Sequence, residues 1–382
     1  MRNTLKFFSI AACMAIVTAC GGGGGGSADT GSSSSSSSSN SSGGGSSSSS
    51  GGSSSGGSST AQGVTVVPSL GAFSSGATVE LFDAATGNPI GSPVTTGSNG
   101  TAVIDLGSQT TSFVIKVTGA ATGVTYYDEG TDRNLPLLAS HSLLAMVPTS
   151  VALSGNARIG VTPLTHMAAA FAGLSNSSLK VVPASINDTV PFTIAKAYAR
   201  VRYAMGLGSV TSSLETYLNP LIAPTTLSSL NHSSGIDLST QGGYYGLLLA
   251  ELANAGTNST PSYTPIEFAQ ALASAANDLV ASNYSSTAIN TFTASAPRLV
   301  LSTATNAVGT GSSAKGYINT CVTVTADAGP YMRNAMSSAS NTTNLSANVD
   351  QLAQTILAQT LQQLDGTTIN MTATRSTANG CV

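Results

Sequence analysis

The 382-residue sequence predicts a multi-domain α+β protein: a small antiparallel β-sandwich, then a mainly α-helical domain with a short disulfide-closed α/β C-terminal part. Three observations predict this. Apolar residues alternate with period two between Val64 and Leu153, interrupted by turn residues such as Thr86-Gly87-Asn88-Pro89 and Asn99-Gly100. From Thr162 onward the apolar spacing changes to three and four, behind well-formed helix starts. Near the C-terminus, a last helix lies between Cys321 and Cys381, with strand-like runs at 320–326 and 367–374.

Composition narrows the function classes. Charged residues make up 8% of the chain, against roughly 25% in ordinary soluble domains. Outside residues 1–62 the count is 26 of 320, so the deficit belongs to the folded part as well. Net charge is −3 with no basic excess, which excludes nucleic acid as a partner. No cofactor, metal site or catalytic constellation is expected.

Arg2 and Lys6 precede an apolar stretch of 11 residues, Phe7 to Val17. A spanning helix needs about 20 such residues, so 1–19 reads as a secretory signal. The stretch ends Val17-Thr18-Ala19-Cys20, which resembles the lipobox of bacterial lipoproteins. The resemblance implies that Cys20 is acylated and becomes the N-terminus after cleavage. It also implies sorting to the outer membrane, because Gly21 stands where Asp tends to retain such proteins at the inner one. Cleavage leaves a formal side-chain charge of 11 − 16 = −5, so the membrane is a partner through acylated Cys20 and not through electrostatics.

Residues 20–62 form the anchor cysteine and a flexible tether, with Ser or Gly at 35 of the 40 positions from 21 to 60. A coil of that length spans roughly 35 Å. Its Gly52-Ser53-Ser54-Ser55-Gly56 matches a nucleophile elbow only in letters, since no strand or helix flanks it.

Residues 63–155 read as the sandwich. Val79, Leu81 and Asp83 alternate with Glu80 and Phe82, and 101–106, 112–117, 126–127 and 142–153 supply further strands. The stretch GATVELFDAATGNPIGSPVTTGSNGTAVIDLG, continued by FVIKVTG, resembles the carboxypeptidase regulatory-like, transthyretin-like β-sandwich. That resemblance implies an accessory module and brings no peptidase chemistry with it. Tyr126, Tyr127, Asp128, Glu129 and Asp132 are the candidate ligand contacts: three carboxylates within five residues offer oxygen ligands, but a solvated acidic turn explains them more simply.

Residues 156–296 read as the helical domain. Thr162-Pro163 opens a helix with Leu164, Met167, Ala168 and Phe171 on one stripe, leaving His166 off the stripe as a surface or domain-contact residue. Ile194, Tyr198, Val201 and Met205 mark a second helix, with Lys196, Arg200 and Arg202 on a solvated face. Tyr244–Asn254 is a third, and Thr264-Pro265-Ile266-Glu267 is a capping box opening a fourth. This region resembles a helical segment that follows transthyretin-like modules in Gram-negative surface lipoproteins, which implies architecture alone.

Residues 297–382 read as an α/β segment packed on the helices. Cys13 leaves with the signal and Cys20 is the acyl site, so Cys321 and Cys381 are expected to pair in an oxidising compartment. The leading functional expectation is an outer-membrane lipoprotein, non-enzymatic, that binds or scaffolds an envelope protein or surface polymer. The face of the membrane stays open. An envelope hydrolase drawing on His141, His166 or His232 is one alternative. Glycan binding through Tyr126, Tyr127, Tyr244 and Tyr245 is the other; tyrosines buried in a core would count against it.

Overall fold

A computed structural model describes residues 63–107, 109–148, 153, 157–205, 219–226, 241–295, 298–301, 322–325, 349–354 and 356–357. The α+β class holds: antiparallel sheets and several helices are both present.

Two sheets build the first part. In one, β1 (Gly63–Pro68) lies between β4 (Ala102–Asp105) and β9 (Arg158–Val161). In the other the order is β3 (Pro89–Thr95), β2 (Thr78–Asp83), β5 (Phe113–Thr118), β8 (Ser142–Val147), antiparallel throughout. The inward residues that period two predicted, Val79, Leu81, Ile115 and Val117, are buried in the core with Val64, Val66 and Ile104 of the first sheet. Edge strand β3 is largely exposed and carries Pro89 and Pro93, which remove two ladder donors and blunt it against pairing with other chains.

One pairing departs from the antiparallel expectation. β9 runs parallel to β1, with Val66 opposite Ile159, because the chain leaves β8 at the pole where β1 begins and so enters β9 in the same direction. The Arg-Ile-Gly-Val run is too short to announce itself by alternation. β6 (Thr125–Asp128) and β7 (Arg133–Pro136) form a separate hairpin.

The helices share the core of the sheets. α1 (Pro163–Phe171) opens on a capping box in which Thr162 and Thr165 exchange side-chain and backbone bonds. All nine of its residues are buried, as β8, β9, α2 (Val190–Ala204) and α4 (Pro265–Ala281) surround it. His166 is therefore an interior residue, and the surface placement read from its off-stripe position is corrected: a helix enclosed on every side has no solvated face. α3 (Gln241–Thr257) and α5 (Ser286–Ser295) complete the helical layer.

The solvated cationic face expected on α2 is also corrected. Arg202 is buried. Arg200 lies 5.5 Å from the Tyr284 ring centroid and donates to the Phe171 carbonyl at 3.3 Å. Lys196 Nζ donates to both carboxylate oxygens of Asp188 at 3.0 Å and lies 2.9 Å from Asp350 Oδ1, an ion pair outside hydrogen-bond geometry. Burial alone would lower the Lys196 pKa, but Asp350 and Asp188 outweigh it and raise it. This lysine ties α2 to the helical residues 349–354 and 356–357, whose Val349, Leu352 and Ile356 join the core. Replacing it, Lys196→Met, should cost about 1–2 kcal/mol, between exposed and buried ion-pair values. Hydrogen exchange checks it: protection should fall first in 349–357.

β8 is an edge strand, yet all six residues are buried. Outward backbone groups of this strand are met from the helices: the Tyr198 hydroxyl of α2 accepts from Met146 N–H at 3.1 Å and donates to Met146 C=O at 2.9 Å, and the Thr165 hydroxyl of α1 donates to Leu144 C=O at 2.8 Å. Tyr198→Phe removes both bonds and should cost about 2 kcal/mol in a urea unfolding midpoint. β10 (Arg298–Leu301) pairs antiparallel with β11 (Val322–Thr325), inside the expected 320–326 strand. Cys321 and Cys381 lie outside the described residues, as do 367–374.

Candidate functional site

Four of the five candidate ligand contacts sit on the β6–β7 hairpin as buried groups, and Asp132 alone is exposed. Register pairs Asp128 with Arg133, leaving Glu129-Gly130-Thr131-Asp132 as the turn. Asp128 shapes that turn itself. One of its oxygens accepts from Gly130 N–H at 2.9 Å, the other from the Thr131 hydroxyl, and its carbonyl accepts from Asp132 N–H at 2.8 Å. Asp132 turns back with φ +59°, a conformation aspartate tolerates, and accepts from the Tyr127 hydroxyl. These bonds use the Asp128 oxygens for folding, so the solvated acidic turn is corrected to a buried one.

Glu129 is the exception to this satisfaction. It is 1% exposed, and its Oε2 has no hydrogen-bond partner. Burial, then repulsion from Asp128, raises its pKa well above the usual carboxylate value and favours the neutral acid. The turn is pressed against two neighbours. A Cβ on Gly130 would lie 2.6 Å from Thr257 Oγ1 and 2.9 Å from the Ala253 carbonyl, both on α3. A Cβ on Gly71 would lie 2.0 Å from the Tyr127 carbonyl and 3.1 Å from Glu129 Oε1.

The tyrosines face inward. Tyr127 N–H donates to Ala72 C=O at 2.8 Å, and the Tyr126 ring tilts against Phe73 at 6.1 Å. Burial pushes the Tyr126 pKa up to about 12, partly offset by the Thr264 hydroxyl and Ile266 N–H, which approach it without completing a hydrogen bond. Tyr245 is buried too, sharing a 2.6 Å hydrogen bond with Thr162 Oγ1 and donating to Pro220 C=O at 3.1 Å. Three of the four candidate sugar-stacking tyrosines thus offer no open ring face; the Tyr244 side chain lies outside the described residues.

Glu267 and His141, each read separately in the sequence, come together beside the hairpin, a meeting the sequence did not show. Glu267 accepts from Thr264 N–H at 2.9 Å and its hydroxyl at 2.8 Å, completing the expected capping box. Those bonds, reinforced by His141, hold its pKa low against a smaller effect of burial. His141 is itself lowered by burial, against the charge of Glu267, and its Nδ1 accepts from Leu138 N–H at 3.3 Å. Only the capping box had a sequence signal; His141 and Glu267 are 126 residues apart and meet through the fold.

An apolar crevice nearby, between Leu70, Pro163, Leu252 and Phe268, has about 10 Å³ of room. That holds at most one water, so it is no substrate cavity. Among the described residues, no group of three or more His, Cys, Asp or Glu is placed to hold a metal ion, and no helix is long and apolar enough to cross a membrane. Cys20 and His232 lie outside those residues.

The chain matches no family model, no curated protein and no solved structure. Its function therefore rests on its own residues. The hairpin acids and tyrosines work as a latch between 71–73, β6–β7 and the C-terminal turns of α3, and the arrangement holds the fold together.

Proposed function

We propose that the protein is an outer-membrane lipoprotein whose compact unit, beginning at Gly63, is linked to the bilayer by the flexible 20–62 tether and serves a non-enzymatic binding or scaffolding role. The observation that carries this is Val17-Thr18-Ala19-Cys20 at the end of an apolar stretch of 11 residues, followed at once by a Ser/Gly tether. A tether that starts at a cysteine and ends where β1 starts has an anchor at one end and a folded body at the other. The two-sheet part is the transthyretin-like module in this reading, and a Cys321–Cys381 disulfide closes the C-terminal segment. That bridge would constrain a loop of about 60 residues by roughly 4 kcal/mol on the chain-entropy model.

The burial of the hairpin tyrosines and acids supports a scaffold more than a glycan-stacking surface, since stacking needs open ring faces. In this reading, partners meet the exposed outer surface of the unit. Cys20→Ser tests the anchor by fractionation. The wild type should pellet with membranes and require detergent for release, while the variant should appear in the aqueous fraction. Protease added to intact cells then reports the face, and crosslinked partners recovered from the wild type report the scaffold. A Cys20→Ser protein that still pellets would remove the anchor from the account.

A further inference from the structure

The most exposed apolar side chain among the large hydrophobics described is Ile186, at 100%, with Val182 at 64% on the same loop. Isolated exposed apolar residues are common. These two differ because the loop presenting them is fixed at both ends.

At its start, Val181 is buried and its N–H donates to the Ala84 carbonyl at 2.8 Å. The receiving 84–88 turn is itself held by Asp83, whose Oδ1 accepts from Ala85 N–H, Thr86 N–H and the Thr86 hydroxyl. At its end, Asp188 N–H donates to Ser185 C=O at 3.0 Å, and the Asp188 carboxylate is bound by Lys196. Between these fixed points Val182-Pro183-Ala184-Ser185-Ile186 carries no charge. Lys180 flanks it as an exposed cation, and the one anion at its other flank is neutralised by Lys196.

The topology places the start of this tip. Gly63, where the tether joins β1, pairs with Asp105. The short 106–112 link, turned by Gln109 N–H to Leu106 C=O, carries the chain from Asp105 to Phe113, which lies opposite Asp83 and Val147. The Thr111 hydroxyl donates to Asp83 at 2.7 Å, and Ala84 N–H donates to Ser112 C=O at 2.9 Å. Gly63, Asp105, Asp83 and the 84–88 turn thus share one pole of the two-sheet part. Val181 docks on that turn. The apolar tip and the tether's point of attachment are at the same end.

From this geometry we infer that the Val182–Ile186 tip is a membrane-contact element, inserting its apolar side chains into the lipid surface that carries the anchor. The inference rests on the Cys20 anchor reading. A tether raises the local concentration of the tip at the bilayer to the millimolar range, so weak insertion suffices to orient the unit. An uncharged tip flanked by one free lysine meets no repulsion from zwitterionic or anionic headgroups.

The chain has no tryptophan, so Ile186→Trp introduces a single indole at the tip. The full chain, processed and acylated in cells, is reconstituted into phosphatidylethanolamine/phosphatidylglycerol vesicles. Its emission should shift to shorter wavelength and lose quenching by acrylamide. Leu138→Trp, at an exposed position beside Gly119 past the opposite end of β5, should keep water-like emission in the same vesicles. A vesicle-bound protein whose Ile186→Trp indole stays water-like overturns the tip contact and leaves the anchor standing. An indole already shielded in the unanchored Cys20→Ser protein without vesicles overturns it in favour of a second copy or the chain itself. Failure of the wild type to float with vesicles overturns the anchor and this inference together.

Discussion

Gly71→Ala is expected to lower the unfolding free energy by about 3 kcal/mol or more, the largest single-residue effect in the hairpin latch. Two costs add. Gly71 has φ +99°, where a side chain is strained by about 1–2 kcal/mol. The new Cβ would also sit 2.0 Å from the Tyr127 carbonyl, a backbone atom that cannot swing aside. Relieving that clash pulls 71–73 away from β6, breaking the Tyr127–Ala72 bond and the Phe73–Tyr126 bridge. Gly91→Ala is the control, since Gly91 has φ +65° with nothing within 4 Å. It should cost only the strain, about 1 kcal/mol. Urea unfolding of both variants separates the terms, and equal losses would mean that the close approach contributes nothing.

Acid should destabilise the protein through His166, and the sign follows from its burial. Its pKa falls from the ordinary 6.5 to about 4 because burial disfavours the cation; Nδ1 has no hydrogen-bond partner to compensate. Between those values the unfolded chain binds a proton that the native state refuses. Stability is therefore full above pH 6.5, falls as pH drops toward 4, and is lost by about 3 kcal/mol below that. His141 shifts in the same direction and adds to the slope. Glu129 acts oppositely: its raised pKa is a cost present at neutral and higher pH, relieved as pH falls through it toward 4.5. His166→Leu should flatten the acid limb. Glu129→Gln should raise stability at pH 7 to 8 and steepen the fall below. Thermal unfolding between pH 4 and 8 checks both, and an unchanged slope in His166→Leu would assign the acid limb elsewhere.

Much of the fold was legible in local pattern. The Thr264-Pro265-Ile266-Glu267 box forms as written, because its bonds close within four residues. The alternation of Val79 and Leu81 states which face of β2 is inside, and Ile194, Tyr198 and Val201 state which stripe of α2 is. What was not legible depends on enclosure. Helical periodicity gives His166 and Arg202 an outer face, yet both are buried, and α1 is packed against α4, which lies far on in the sequence. The same holds for Tyr126 and Glu129: a turn of polar residues reads as solvated, and only the approach of α3 and Gly71 buries it. The exposure of Val182 and Ile186 was not legible either, because apolar residues in a loop carry no periodic mark of it.

The mass of the mature N-terminal peptide tests the Cys20 anchor most directly. Purified from cells by detergent extraction, the protein should begin at Cys20 and carry the added mass of a diacylglyceryl group, with residues 1–19 gone. A peptide that begins elsewhere, or at Cys20 with an unmodified thiol, would contradict the anchor, and with it both the scaffold at the outer membrane and the lipid-facing tip.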